Sequence, residues 1–135
     1  RTGRVWVMLT NNSRRTAAQV NAANPRADNR FGHIIEIREP DGDFTATSSR
    51  WEILVRCGDP ADPAVGATWN GSTSPDGWLG SPDNCALDAK GRLWVSTDGN
   101  DATGAADGLW AIGTDGGDRA RGQHFFRCPV GAELC

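Results

Sequence analysis

Apolar and polar residues alternate with period two along short runs of this chain, the pattern of half-buried strands. The clearest run is Arg92-Leu93-Trp94-Val95-Ser96-Thr97, closed by the turn dipeptide Asp98-Gly99. Before it stands Ser81-Pro82-Asp83-Asn84-Cys85-Ala86-Leu87-Asp88, and Gly91 supplies a turn between the two, so 81–99 reads as a β-hairpin with Leu87 in its core. Five further strands are predicted at 4–10, 32–38, 51–57, 108–114 and 122–128, with turn chemistry at Glu39-Pro40-Asp41-Gly42-Asp43 and Asp115-Gly116-Gly117-Asp118. Ser-Pro-Asp-Asn at the head of the hairpin sets a carboxylate and an amide where the chain enters the sheet, a common position for functional side chains.

The strands repeat. Residues 2–12 align without a gap with 90–100, 88 positions later, and the alignment continues loosely from 32–37 to 108–113 and from 51–57 to 123–128. A repeat of about four antiparallel strands is one blade of a β-propeller, so the expected fold is all-β: about two four-stranded antiparallel blades. Within a single propeller domain, 1–57 is then an incomplete blade, 58–80 an inter-blade loop, 81–128 a complete blade and 129–135 the start of the next connection. The chain reads as a piece of a longer protein, because the counterpart of 81–88 would precede residue 1.

Two long polar connections interrupt the strands, and loops of this length are often functional. The first, 11–31, holds Asn11, Asn12, Arg14, Arg15, Asn21, Asn24, Arg26, Asp28, Asn29 and Arg30. Guanidinium forks and amide N–H groups can grip an anion there, and Asn12 and Arg26 are the candidate substrate contacts. A solvated loop whose Asn and Asp residues only make turns is the competing reading. His33 fits a hydrogen-bonded structural histidine better than a ligand, and Glu36 reads as the solvent-facing member of its strand. In the second connection, 58–80, Trp69 and Trp78 are expected to pin the loop onto the sheets.

Composition agrees with short strands and packed sheets: 17 glycines and 7 prolines punctuate the chain, and 6 tryptophans fill space. A net charge of −3 argues against a nucleic-acid surface, and no apolar run is long enough to span a bilayer as a helix. Cys57, Cys85, Cys128 and Cys135 match no zinc spacing and read as buried free thiols, with a Cys128–Cys135 bridge as the minor alternative.

No Ser-His-Asp order, phosphate-cradling glycine loop, HExxH helix or EF-hand pattern is present. Four segments carry the argument further: 7–15, 24–34, Ser81-Pro82-Asp83-Asn84 and Arg127-Cys128-Pro129-Val130-Gly131-Ala132-Glu133. Together they closely resemble, in order and over nearly the whole chain, the C-terminal half of PhoX-type alkaline phosphatases. The resemblance implies a six-bladed propeller that hydrolyses phosphate monoesters, is exported through the twin-arginine route to the periplasm or beyond, and binds calcium and iron near its axis. It implies further that Asp83 is a calcium ligand, that the parent is a monomer, and that its substrate is a small phosphoester. The family's Arg-Pro-Glu motif would fall before Arg1 and its cysteine ligand further upstream, so the catalytic residues have no counterpart here and the chain alone is expected to be inactive.

Asp83 suits that role chemically, since calcium takes six to eight oxygen ligands and several blades can each contribute one or two. An Asx-type turn after Pro82 is the plainer reading of the same residue. Two other function classes stay open at this point: a calcium-dependent lactonase-like or gluconolactonase-like propeller hydrolase, and a non-catalytic propeller that binds a partner through its faces.

Overall fold

A computed structural model describes residues 3–99 and 106–129. Its strands are β1 (Arg4–Leu9), β2 (His33–Arg38), β3 (Arg50–Arg56), β4 (Pro82–Leu87), β5 (Arg92–Thr97), β6 (Gly108–Gly113) and β7 (Gly122–Arg127). They form two antiparallel sheets, β1-β2-β3 and β4-β5-β6-β7, each in chain order. Every predicted strand is present to within about a residue at each end. The repeat is equally plain, because β1 matches β5, β2 matches β6 and β3 matches β7 in order and partner. Even a side-chain pair recurs: the Arg4 guanidinium lies 4.9 Å over the Trp6 ring, and that of Arg92 lies 5.4 Å over Trp94.

The sheets stack face to face. Leu93, Val95, Trp110 and Ile112 of the second meet Ile34, Leu54 and Val55 of the first, with Trp6 and Met8 packed against them. Burying one such aliphatic side chain contributes roughly 1.5–3 kcal/mol, so this seam is the main source of cohesion. The loop 58–80 closes the seam as expected: Trp69 packs on the core and donates Nε1–H to Gly58 O at 3.0 Å, while Trp78 meets Phe31 edge-on at 6.5 Å. Asn70 donates to Gly117 O at 2.8 Å and Arg119 O at 2.9 Å, tying the loop to the β6–β7 turn.

Three expectations are overturned. Glu36 does not face solvent; it is 0% exposed. Its register partners are Trp6 and Glu52, so it points into the seam, where the β6–β7 turn brings Arg119 over it. Arg4 donates to Glu36 Oε1, Arg38 lies 3.0 Å from the same oxygen and Arg119 2.7 Å from Oε2. Arg4 also reaches across the seam to Asp115 at 2.6 Å and Thr114 O at 2.9 Å. Burial pushes the Glu36 carboxyl up, but the hydrogen bonds from Arg4, Arg38 and Arg119 outweigh it and hold its pKa below the usual value. The other two corrections fall on β4. Leu87 is 43% exposed although its partner Leu93 is buried, and Cys85 is an exposed free thiol, because β4 is the edge strand of its sheet.

Candidate functional site

The end of β1 and the start of β4 lie at the same end of the stack. Ser81 N–H donates to Phe31 O at 2.9 Å, and Ser81 O accepts from Asp98 N–H at 3.1 Å, so the head of β4 is sewn between the β1–β2 loop and the end of β5. Ser81 is buried and sits at φ 49, left-handed backbone that a serine adopts only when its surroundings hold it there. Immediately after it the β4–β5 register slips between Pro82 and Cys85. That bulge carries Asp83 and Asn84, both exposed, with Asn84 Nδ2–H donating to Asp83 Oδ2 at 2.6 Å. Bulges re-aim side chains, and this one presents a carboxylate braced by an amide at the mouth of the sheet.

The 10–32 loop covers the same end and is internally bonded throughout. Asn12 and Asn29 exchange backbone hydrogen bonds at 2.7 and 3.1 Å, leaving Asn12 exposed at the rim. Thr16 N–H donates to the Gln19 side chain at 3.0 Å, and Asn21 and Asn24 form a second bridge. Arg26 turns inward: its guanidinium donates to Cys57 O at 2.8 Å, Val65 O at 3.1 Å and Gly32 O. Desolvation on burial lowers its pKa, although it keeps its charge. Beside it lies a cleft of about 360 Å³ lined in part by Asn29, Arg30, Phe31 and Val65.

His33 is structural, as its place in the sequence suggested. Nε2–H donates to Ala23 O at 2.8 Å and Nδ1 accepts from Asn29 Nδ2 at 3.2 Å; burial lowers its pKa and keeps it neutral. Asn29, which sequence reasoning did not single out, is the loop's pivot: its side chain also accepts from Gly32 N–H at 3.0 Å. An Asn four residues before a His was the available signal.

For a metal, the arrangement offers one hard oxygen donor at Asp83. Among the described residues no three His, Cys, Asp or Glu side chains stand close enough to hold an ion together. The donor chemistry therefore fits one place in a calcium shell rather than a complete site.

A family model described as alkaline phosphatase PhoX matches residues 1–135. This chain belongs to the PhoX family. Among solved structures, Pseudomonas fluorescens PhoX in complex with vanadate, a transition state analogue, is 28% identical with a TM-score of 0.73. The match covers 90% of this chain and 22% of that one, so the chain spans about a fifth of the length of that PhoX. No curated protein compared matches it. The PhoX likeness gives the two stacked sheets their meaning as adjoining β-propeller blades.

The thiols of this PhoX segment differ sharply in access. Burial pushes Cys57 up to about 12, whereas Cys85 is exposed and only partly desolvated. Cys128 is a buried free thiol, and Cys135, its expected alternative partner, lies outside the described residues. In the folded chain a maleimide at neutral pH should label Cys85 quickly and Cys57 only after denaturant is added. Peptide mapping that finds Cys57 modified first would show that the seam between the sheets is open.

Proposed function

We propose that this chain is part of a secreted, metal-dependent phosphatase that hydrolyses phosphate monoesters. The observation that carries the reading is the match to the PhoX model over the chain's full length, joined to an exposed, braced carboxylate where the resemblance expects a ligand. In this reading Asp83 supplies one oxygen to calcium, with iron and the other ligands held by parts of a longer monomeric enzyme. The metals, when bound, would polarise a phosphoryl oxygen and neutralise its charge. Asn84 limits the rotamers of Asp83, and the Ser81 backbone fixes where the bulge begins, so the carboxylate waits in place. Asn12 offers an exposed amide to a small phosphoester from the loop at the same end. Arg26, with its guanidinium spread over three carbonyls, serves the site by holding that loop. Periplasmic or extracellular placement through twin-arginine export completes the proposal.

Asp83→Asn in a longer PhoX enzyme carrying this segment keeps the side-chain shape and removes the charge. Calcium content by mass spectrometry and turnover of p-nitrophenyl phosphate should fall together, by about tenfold or more, with the unfolding midpoint unchanged. Full calcium and unchanged turnover would make Asp83 a turn former. The 135-residue chain alone, supplied with calcium and iron, should show no hydrolysis above a metal-only control.

A further inference from the structure

Two backbone groups fix the protonation state of His33. The Ala23 carbonyl can only accept, so Nε2 must carry a proton to bond it at 2.8 Å. The Gly32 N–H can only donate, so the Asn29 side chain turns Oδ1 toward it at 3.0 Å and is left to point its NH2 at His33 Nδ1, 3.2 Å away. Nδ1 must therefore be bare. Gly32 has no room to yield: a Cβ there would run into the Leu9 and Thr10 carbonyls, and its own carbonyl accepts from Cys57 N–H at 3.1 Å and from Arg26. Protonating His33 sets two donors face to face inside the fold, where His33 is 1% and Asn29 5% exposed. Turning the Asn29 amide over only moves the conflict to the Gly32 N–H.

The surrounding charge adds to the conflict. Arg26 and Arg15, in the same loop, both act against an imidazolium. The register partner of His33 on β3 is Arg56, and that on β1 is the uncharged Leu9. The carboxylates of the adjoining segments are engaged elsewhere. Asp28 pairs with the exposed Arg30 at 3.1 Å, Asp59 and Asp62 accept from the backbone of their own connection, and Asp83 accepts from Asn84. The Cys57 thiol, with its pKa pushed up to about 12, stays neutral.

What His33 pins holds the site end together. Asn29 exchanges backbone hydrogen bonds with Asn12, and Phe31, two residues on, accepts from Ser81 N–H at 2.9 Å at the head of β4. We propose that His33 is a positioning residue that, while neutral, locks the 10–32 loop through Asn29 and Ala23, and that one proton on its imidazole releases Asn12 and the head of β4 together. Burial and the neighbouring guanidinium groups hold its pKa below the ordinary histidine value. The lock is therefore fully closed above about 6.5 and is lost as pH falls through the lower folded value. What release does to turnover rests on the phosphatase reading; the lock itself does not.

Hydrogen exchange by mass spectrometry on a longer PhoX enzyme carrying this segment, corrected for the intrinsic pH dependence of exchange, tests the lock. Peptides covering 10–32 and 81–84 should lose protection about tenfold for each pH unit below about 6.5, while 92–97 in the seam keeps its own. Asn29→Asp is the decisive variant. A carboxylate accepts from the Gly32 N–H and from a protonated Nδ1 at once, so the His33 pKa should move above its ordinary value, and the loop should hold in acid and loosen as pH rises. His33→Gln, which does not titrate, should leave the loop looser at every pH with the pH dependence gone, and it decides the matter should Asn29→Asp fail to fold. Loop protection indifferent to acid in the wild type, or either variant following the wild-type profile, would overturn the proposal. In the same enzymes, at constant calcium and iron content, KM for p-nitrophenyl phosphate should rise in acid for wild type and not for Asn29→Asp. An inverted exchange profile with superimposable KM profiles would keep the lock and count against the phosphatase reading of this end of the stack.

Discussion

Glu36→Ala is expected to cost about 3–5 kcal/mol, the usual penalty for removing one partner of a buried ion pair. Three guanidinium groups converge on that carboxylate, and its loss leaves Arg4, Arg38 and Arg119 facing one another across the seam. Domain stabilities are only about 5–15 kcal/mol, so the variant should sit near the edge of unfolding. Urea unfolding of wild type, Glu36→Ala and Glu36→Gln measures the loss, and a cycle with Arg119→Met isolates the contact between the sheets. The pH dependence has a definite sign. Glu36 and Asp115 both have lowered folded-state pKa values. For Asp115 the leading cause is the hydrogen bond from Arg4. Their contribution is therefore fully present above the ordinary carboxylate range, about 4 in an unfolded chain, and is lost as pH falls through the lower folded values. Wild type and Glu36→Gln should converge in stability as the solution is acidified. A variant as stable as wild type at neutral pH would mean that the cluster fills space without binding the sheets.

The strands were legible because period two survives in short segments, and turn residues such as Gly91 mark where each stops. Their order was legible because Arg4-Val5-Trp6-Val7 and Arg92-Leu93-Trp94-Val95 are nearly the same words. Alternation cannot say which face is wet. Glu36 lies between Ile35 and Ile37 and reads as the polar side, yet both faces of its sheet are apolar and the polar atom is met by arginines from two other segments. Arg119 lies 83 positions away in a turn whose composition predicts only a reversal. Leu87 and Cys85 erred in the opposite direction, since their neighbours along the strand predict a core that an edge strand does not receive. At the candidate site, Asp83 stood out by resemblance and by its place at the head of a strand. The strained Ser81 and the bulge that aims Asp83 depend on bonds to Phe31 and Asp98, and no local pattern reports them.

Trp110→Ala should cost about 3–5 kcal/mol, against about 0.5 kcal/mol or less for Leu87→Ala in this chain. Both residues are large and apolar, and both lie on strands of the second sheet, so the sequence alone would rank them together. Trp110 is wholly buried between Val95 and His124 on the neighbouring strands, its ring 5.5 Å from the His124 ring, and the Arg127 guanidinium caps it at 5.6 Å. Deleting the indole opens a cavity in the middle of the seam that close-packed neighbours fill only in part. Leu87 keeps much of its surface in water, so its truncation removes little that folding had buried. Denaturant midpoints at constant slope give the comparison directly, because an unchanged slope means the two variants expose the same surface on unfolding. Equal losses at the two positions would place Leu87 in a covered environment and put the open edge of β4 in the wrong place. A small loss at Trp110 would instead mean that the sheets do not close on each other around the indole.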